Sequence, residues 1–115
     1  MNIQIFGVEK CFDTKKAQRY FKERNIKFQF VDMTRKNMSK GELDSVEAAV
    51  GLANLLNKAS KEYERLNILK INSPTIKKEL LLNNPKLFRT PIVRNGRKAT
   101  VGYEPEIWKA WEQEP

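Results

Sequence analysis

Cys11 is the only cysteine in a chain of 115 residues, and there is no histidine anywhere. A thiolate is a strong nucleophile toward disulfides and other oxidised acceptors. Without histidine, Cys-His nucleophile pairs and imidazole-based general catalysis are excluded. One cysteine and no histidine also argue against a transition-metal site. A lone cysteine cannot form an internal disulfide, which fits a reducing compartment, and the expectation is a cytoplasmic protein. The residue three beyond Cys11 is Thr14 rather than a second cysteine. The dithiol cycle of a Cys-x-x-Cys motif is therefore closed to this chain. Any redox cycle must draw on an outside thiol, such as glutathione or a partner protein.

The setting of Cys11 favours reactivity. It follows a strand-like segment and opens a helical one, and a helix N-terminus carries partial positive charge and unpaired N–H groups. Lys10, Lys15 and Lys16 add to that field, while Asp13 opposes it. The competing reading is a buried, inert cysteine that serves as a small hydrophobe. Thr14 offers a hydroxyl for a hydrogen bond to the thiolate, or is an ordinary first-turn residue; the sequence leaves both open. Thr90-Pro91 opens a later strand, where proline forfeits only one ladder donor.

Several elements must position these residues. Ile3, Ile5 and Gly7 alternate with Asn2, Gln4 and Phe6, which predicts a strand over 2–7. Phe12, Ala17, Tyr20 and Phe21 fall near one face of a helix over 12–24. Phe28, Phe30 and Val31 mark a second strand closed by Asp32. This β-α-β opening implies parallel strands and a right-handed crossover. A helical stretch follows. Ser39 and Glu42 have capping-box spacing. Leu43, Val46, Ala49 and Val50 recur at helical intervals, and Gly51 separates them from a turn over 52–56. Ser73-Pro74 supplies an N-cap and a first-turn proline for another helix. Ile76, Leu80 and Leu81 are expected to face the core, and Asn83-Asn84-Pro85 stops that helix. Residues 91–95 and 98–103 read as strands joined by the hairpin signal Asn95-Gly96. A final helix over 105–112 is expected to bury some of Ile107, Trp108 and Trp111.

The order β-α-β, helical block, β-β-α predicts an α/β, thioredoxin-like fold. Its four-stranded mixed sheet would sit in a single domain over 1–115, with a helical insertion at about 38–84. Apolar residues make up 40% of the chain and charged residues 31%, the balance of a globular domain. No apolar run has the length of a membrane span, and no signal peptide is expected from the N-terminal residues. The net charge is +8. Lys86, Arg89, Arg94, Arg97 and Lys98 occupy an acid-free stretch between Glu79 and Glu104. That is a solvated basic surface or a field for an anionic partner. No recognition helix with interleaved aromatics accompanies it, so direct nucleic-acid binding is not expected.

Cys11-x-x-Thr14, Leu55-Leu56-Asn57-Lys58, Tyr63-x-x-Leu66-Asn67, Asn84-Pro85-Lys86-Leu87, Arg89-Thr90-Pro91-Ile92-Val93 and Val101-Gly102-Tyr103 stand in a particular order and spacing. Together they resemble the arsenate reductase (ArsC) family, which also contains the Spx-type transcription regulators. The resemblance implies a cis proline at Pro91 and a nucleophilic cysteine at Cys11. It further implies an oxyanion held by three arginines, with glutathione and glutaredoxin completing the reduction. The arginine positions depart from the pattern. The first falls at Asn57, the second at Thr90, and the third at Gly102 or Tyr103. Arg89 is one residue early, so on a strand it would point the other way. Lys58, Arg89, Arg94 and Arg97 are the remaining cations nearby. Threonine before the proline is similar to glutaredoxins and thioredoxins, where that residue's backbone pairs with a disulfide-bearing peptide.

The leading expectation is thus a monothiol oxidoreductase that uses Cys11 and binds its thiol substrate through Thr14, Asn57, Lys58, Arg89, Thr90, Pro91 and Arg94. It would hold no resident cofactor or metal, take glutathione as external reductant, and have glutaredoxin or another thiol-bearing protein as partner. Two alternatives are an Spx-like regulator that binds RNA polymerase, and a true arsenate reductase using the displaced arginines.

Overall fold

A computed structural model describes residues 1–114. Strand β1 (Ile3–Gly7) leads through helix α1 (Phe12–Glu23) to β2 (Phe28–Asp32). Four helices follow: α2 (Lys40–Val50), α3 (Leu52–Leu55), α4 (Lys61–Arg65) and α5 (Pro74–Asn83). The hairpin β3 (Ile92–Asn95) and β4 (Lys98–Val101) comes next, then α6 (Pro105–Glu112). The sheet order is β2-β1-β3-β4. β1 runs parallel to β2 and antiparallel to β3, and β4 is antiparallel to β3. This is the four-stranded mixed sheet of a thioredoxin-like fold. Among the described residues, no helix is long and apolar enough to cross a membrane.

Alternation along the strands builds two cores, one on each face of the sheet. Ile3, Ile5 and Val93 pack against Ala17, Tyr20 and Phe21 of α1 and Trp108 and Trp111 of α6. The Trp108 indole N–H donates to Thr100 Oγ1 at 2.8 Å, satisfying both groups inside this layer. Phe6 and Ile92 point the other way, into the helical block, and meet Leu43, Val46, Leu55, Ile68, Leu81 and Phe88. The Ser39–Glu42 capping box is formed, with Ser39 Oγ accepting from the Glu42 N–H at 3.2 Å and Glu42 Oε1 accepting from the Ser39 N–H at 2.9 Å. The hairpin turns at Gly96, whose φ of 61° suits glycine.

Two apolar side chains fall outside their expected places. Phe12 is 71% exposed. The buried face of α1 is Thr14, Ala17, Tyr20 and Phe21, and Phe12 lies about 200° around the helix from Thr14. Ile76 is 48% exposed, because only Leu81 of α5 is fully buried and Ile76 stands about 140° from it. α6 buries Trp108 and Trp111 and leaves Ile107 exposed, in line with the expectation that some of the three are buried. β4 ends at Val101, two residues short of the expected strand, because Gly102 turns away with φ of 83°.

One row across the sheet is polar. Gln4 stands in register with Gln29 on one side and Arg94 on the other. Gln4 Nε2 donates to Gln29 Oε1 at 3.0 Å, and Arg94 Nη1 donates to Gln4 Oε1 at 3.1 Å.

Candidate functional site

Cys11 is the N-cap of α1. A tight turn sets it there, with its N–H donating to the Val8 carbonyl at 3.0 Å. Its own carbonyl accepts from the Lys15 N–H at 3.2 Å and starts the helix. The thiol is partly buried. The peptide between Thr90 and Pro91 is cis. The Thr90 carbonyl lies 3.6 Å from Cys11 Sγ and accepts from the thiol.

Thr14, at the third helical position, is fully buried, and its Oγ1 has no hydrogen-bond partner among the described residues. A side chain at that position folds back toward the N-cap, here the Cys11 sulfur. Burial pushes the Cys11 thiol up, but the hydroxyls of Thr14 and Thr90 and the backbone N–H groups of Thr14 and Asp13, as donors to the thiolate form, outweigh it. The result is a thiol held below the ordinary cysteine range.

The structure brings some of the other candidates together. Asn57 N–H donates to the Leu87 carbonyl and Arg89 N–H to the Leu55 carbonyl, both at 2.8 Å. The two segments therefore run side by side just before Thr90. Asn57 Oδ1 accepts from the Ala59 N–H at 3.1 Å, so its side chain is engaged in shaping its own turn. Lys58 is exposed. Arg89 extends along β4, with Nη2 3.7 Å from where a Cβ on Gly102 would sit. There it borders a cleft of about 350 Å³ shared with Val50, Asn54, Val101, Glu104 and Ile107. Arg94 is not brought to Cys11. It pairs with Gln4, about 10 Å along β1 from the Gly7 end, and also donates to the Gly96 carbonyl at 3.2 Å.

Two features at this end of the sheet escaped the sequence reading. The first is an aromatic rim. Lys16 Nζ stands 5.3 Å from the Phe12 ring centre and 5.1 Å from that of Tyr103. Tyr103 is brought close by the Gly102 N–H, which donates to the Pro91 carbonyl at 2.8 Å. The second is the contact between Gly7 and Thr14, where the glycine leaves room for the threonine. A glycine inside a strand pattern, four residues before the cysteine, was the available signal.

A lone thiol at the first strand-to-helix turn, facing a cis proline on a β2-β1-β3-β4 sheet, defines a protein of thioredoxin-like fold with a single cysteine at the N-cap of α1. The likeness extends to the glutaredoxin-like NrdH-redoxin of Escherichia coli, which superposes with a TM-score of 0.51 at 15% identity over the whole of both chains. The ArsC family matches residues 6–111, and the chain belongs to that family. It is 27% identical over 106 residues to the global transcriptional regulator Spx 2 of Oceanobacillus iheyensis, covering 90% of this chain and 78% of that one. A putative arsenate reductase from Yersinia pestis shares the fold with a TM-score of 0.85 at 21% identity, covering 95% of this chain and 99% of the other.

Proposed function

We propose that this protein is a monothiol oxidoreductase in which Cys11 is the nucleophile and glutathione the external reductant. The Cys11 thiolate attacks the glutathione sulfur of a protein–glutathione mixed disulfide. The Cys11–glutathione S–S bond forms as the protein–glutathione S–S bond breaks, and the protein leaves as a thiolate that takes up a proton. A second glutathione thiolate then attacks the glutathione sulfur on Cys11. Oxidised glutathione leaves and the Cys11 thiolate returns. The protein sulfur is reduced at the expense of the one free glutathione thiol, which is oxidised as it joins the glutathione that the mixed disulfide carried; a glutaredoxin thiol can take its place and leave as the glutaredoxin–glutathione mixed disulfide. The observation that carries this reading is the partly buried Cys11 at the N-cap of α1, its thiol held below the usual range. Thr90 adds support, because its backbone N–H donates no hydrogen bond among the described residues. That N–H is open to an extended partner segment beside the thiol.

The reading favours a thiol-bearing substrate over a bare oxyanion. A doubly charged tetrahedral anion requires convergent guanidinium forks. Here the three family arginine positions hold Asn57, Thr90 and Gly102 or Tyr103, and Arg89 turns toward β4.

Alkylation of Cys11 followed across pH, together with turnover of glutathione mixed disulfides, tests the proposal. A midpoint below that of a free thiol and glutathione-dependent turnover are expected. An ordinary midpoint with no turnover would overturn it. A second reading, a regulator that binds RNA polymerase, draws on the kinship to Spx 2 and to the regulatory protein MgsR of Bacillus subtilis, 27% identical over 107 residues. Affinity capture with purified polymerase decides it, and no retained polymerase subunit would count against it.

A further inference from the structure

We propose that Gly7 is a positioning residue for the thiol: the missing side chain at Gly7 lets Thr14 hold its hydroxyl against Cys11. This rests on the reading of Cys11 as the nucleophile. Gly7 is the last residue of β1, opposite Asp32 of β2. Its φ lies outside the left-handed region, unlike those of Gly51, Gly96 and Gly102, so the backbone does not require glycine there. Glycine weakens a strand relative to a residue with a side chain. The reason for it is steric. A Cβ on Gly7 would stand 2.6 Å from both Thr14 Oγ1 and Thr14 Cγ2, and 3.2 Å from Thr14 Cβ.

Neither partner can yield easily. The Gly7 carbonyl accepts from the Met33 N–H at 2.9 Å, which ties that end of β1 to the chain leaving β2. Thr14 is fully buried and β-branched, so the two γ atoms have little room to rotate, and its Cβ at 3.2 Å would still have to give by a few tenths of an ångström. A methyl group at position 7 must therefore move the first turn of α1 away from β1. The Thr14 hydroxyl, buried and without a partner, moves with it. The sulfur at the N-cap then loses the donor that stands ready for the thiolate.

The test compares alkylation midpoints across pH for the wild type, Gly7→Ala, Thr14→Ala and the double variant, with circular dichroism confirming the fold. Gly41→Ala is the control, because a Cβ there meets nothing within 4 Å. Gly7→Ala is expected to raise the midpoint and slow alkylation at pH 7 by about three- to tenfold. Thr14→Ala should raise it comparably, and the double variant should match Thr14→Ala, since Gly7 acts only through the hydroxyl. The control should keep the wild-type midpoint. A Gly7→Ala midpoint equal to the wild type would overturn the proposal. So would a double variant that shifts further than Thr14→Ala. If Gly7→Ala does not fold, Gly7→Ala is read in the Thr14→Ser background, where the hydroxyl is kept and the γ methyl that crowds position 7 is gone: a midpoint raised above that of Thr14→Ser alone supports the proposal, and an equal midpoint overturns it. A wild-type midpoint at the ordinary thiol value would remove the nucleophile reading and this role together; a low wild-type midpoint with an unmoved Gly7→Ala removes only the role of Gly7.

Discussion

The two ends of the sheet treat their polar groups in opposite ways. At the Gln4 end, Gln29, Gln4 and Arg94 bond to one another in a row across three strands. At the Gly7 end, the Thr14 hydroxyl is buried without a partner, the Thr90 N–H donates to nothing among the described residues, and Cys11 makes one long contact to a carbonyl. Leaving a buried hydroxyl unpaired costs about 1–3 kcal/mol. A fold that pairs Gln4 so fully has no general difficulty in satisfying such groups. The unpaired donors are concentrated where a negative sulfur and an incoming chain would need them. The comparison separates residues that stabilise the sheet from residues that the proposed function would use.

The sharpest way to break that contrast is Cys11→Ser. It should abolish thiol alkylation and glutathione-dependent turnover while leaving the thermal melting temperature near that of the wild type. Thr14→Val comes next, because it removes the unpartnered hydroxyl and keeps the shape. Turnover at pH 7 should fall about tenfold as the thiol midpoint rises. Stability, measured by urea unfolding, should stay level or increase by about 1 kcal/mol. Activity and stability moving in opposite directions would mark the Gly7 end as the functional one.

Gln4→Leu probes the other end. It strips Arg94 and Gln29 of their shared partner, and a stability loss of about 1 kcal/mol is expected with the alkylation profile of Cys11 unchanged. A change in that profile would erase the distinction between the two ends. The smallest effect concerns Tyr20, whose hydroxyl donates to Glu112 Oε2 at 2.7 Å. Burial, then the Glu112 carboxylate, pushes the Tyr20 pKa up to about 12. The folded state thus disfavours ionisation relative to the unfolded chain, near pH 10. The contribution is complete below about pH 10 and is lost as pH rises toward 12. Tyr20→Phe should cost about 0.5–1 kcal/mol at neutral pH, and its unfolding free energy should fall less steeply than the wild type's between pH 10 and 12.

Much of this was legible in the residues themselves. Alternation around Ile3 and Ile5, the Ser39–Glu42 box and Asn95-Gly96 placed the strands, the helical block and the hairpin, because each rests on local geometry. Cys11 at a strand-to-helix turn followed from the same local signals, and the cis bond at Pro91 from the family resemblance. The failures share a different cause. Phe12 was grouped on one face with Ala17, Tyr20 and Phe21 because its apolar type outweighed its angle around α1, where Thr14 is the residue that turns inward. Ile76 erred in the same way on α5. Arg94 looked close to Cys11 in a list of cations, yet its register with Gln4 carries it toward the opposite end of β3. The contact of Gly7 with Thr14 joins two elements at a distance that periodicity does not encode.

The paired N–H···O=C bonds between Leu55–Asn57 and Leu87–Arg89 act as a clasp. They fasten the middle of the helical block to its exit and turn α4, α5 and the chain between them into a closed ring. Slippage or rearrangement inside that ring is absorbed before it reaches Thr90. Sequence drift in α4 and α5 can then change what the outer surface recognises while the clasp keeps the approach to the thiol in place.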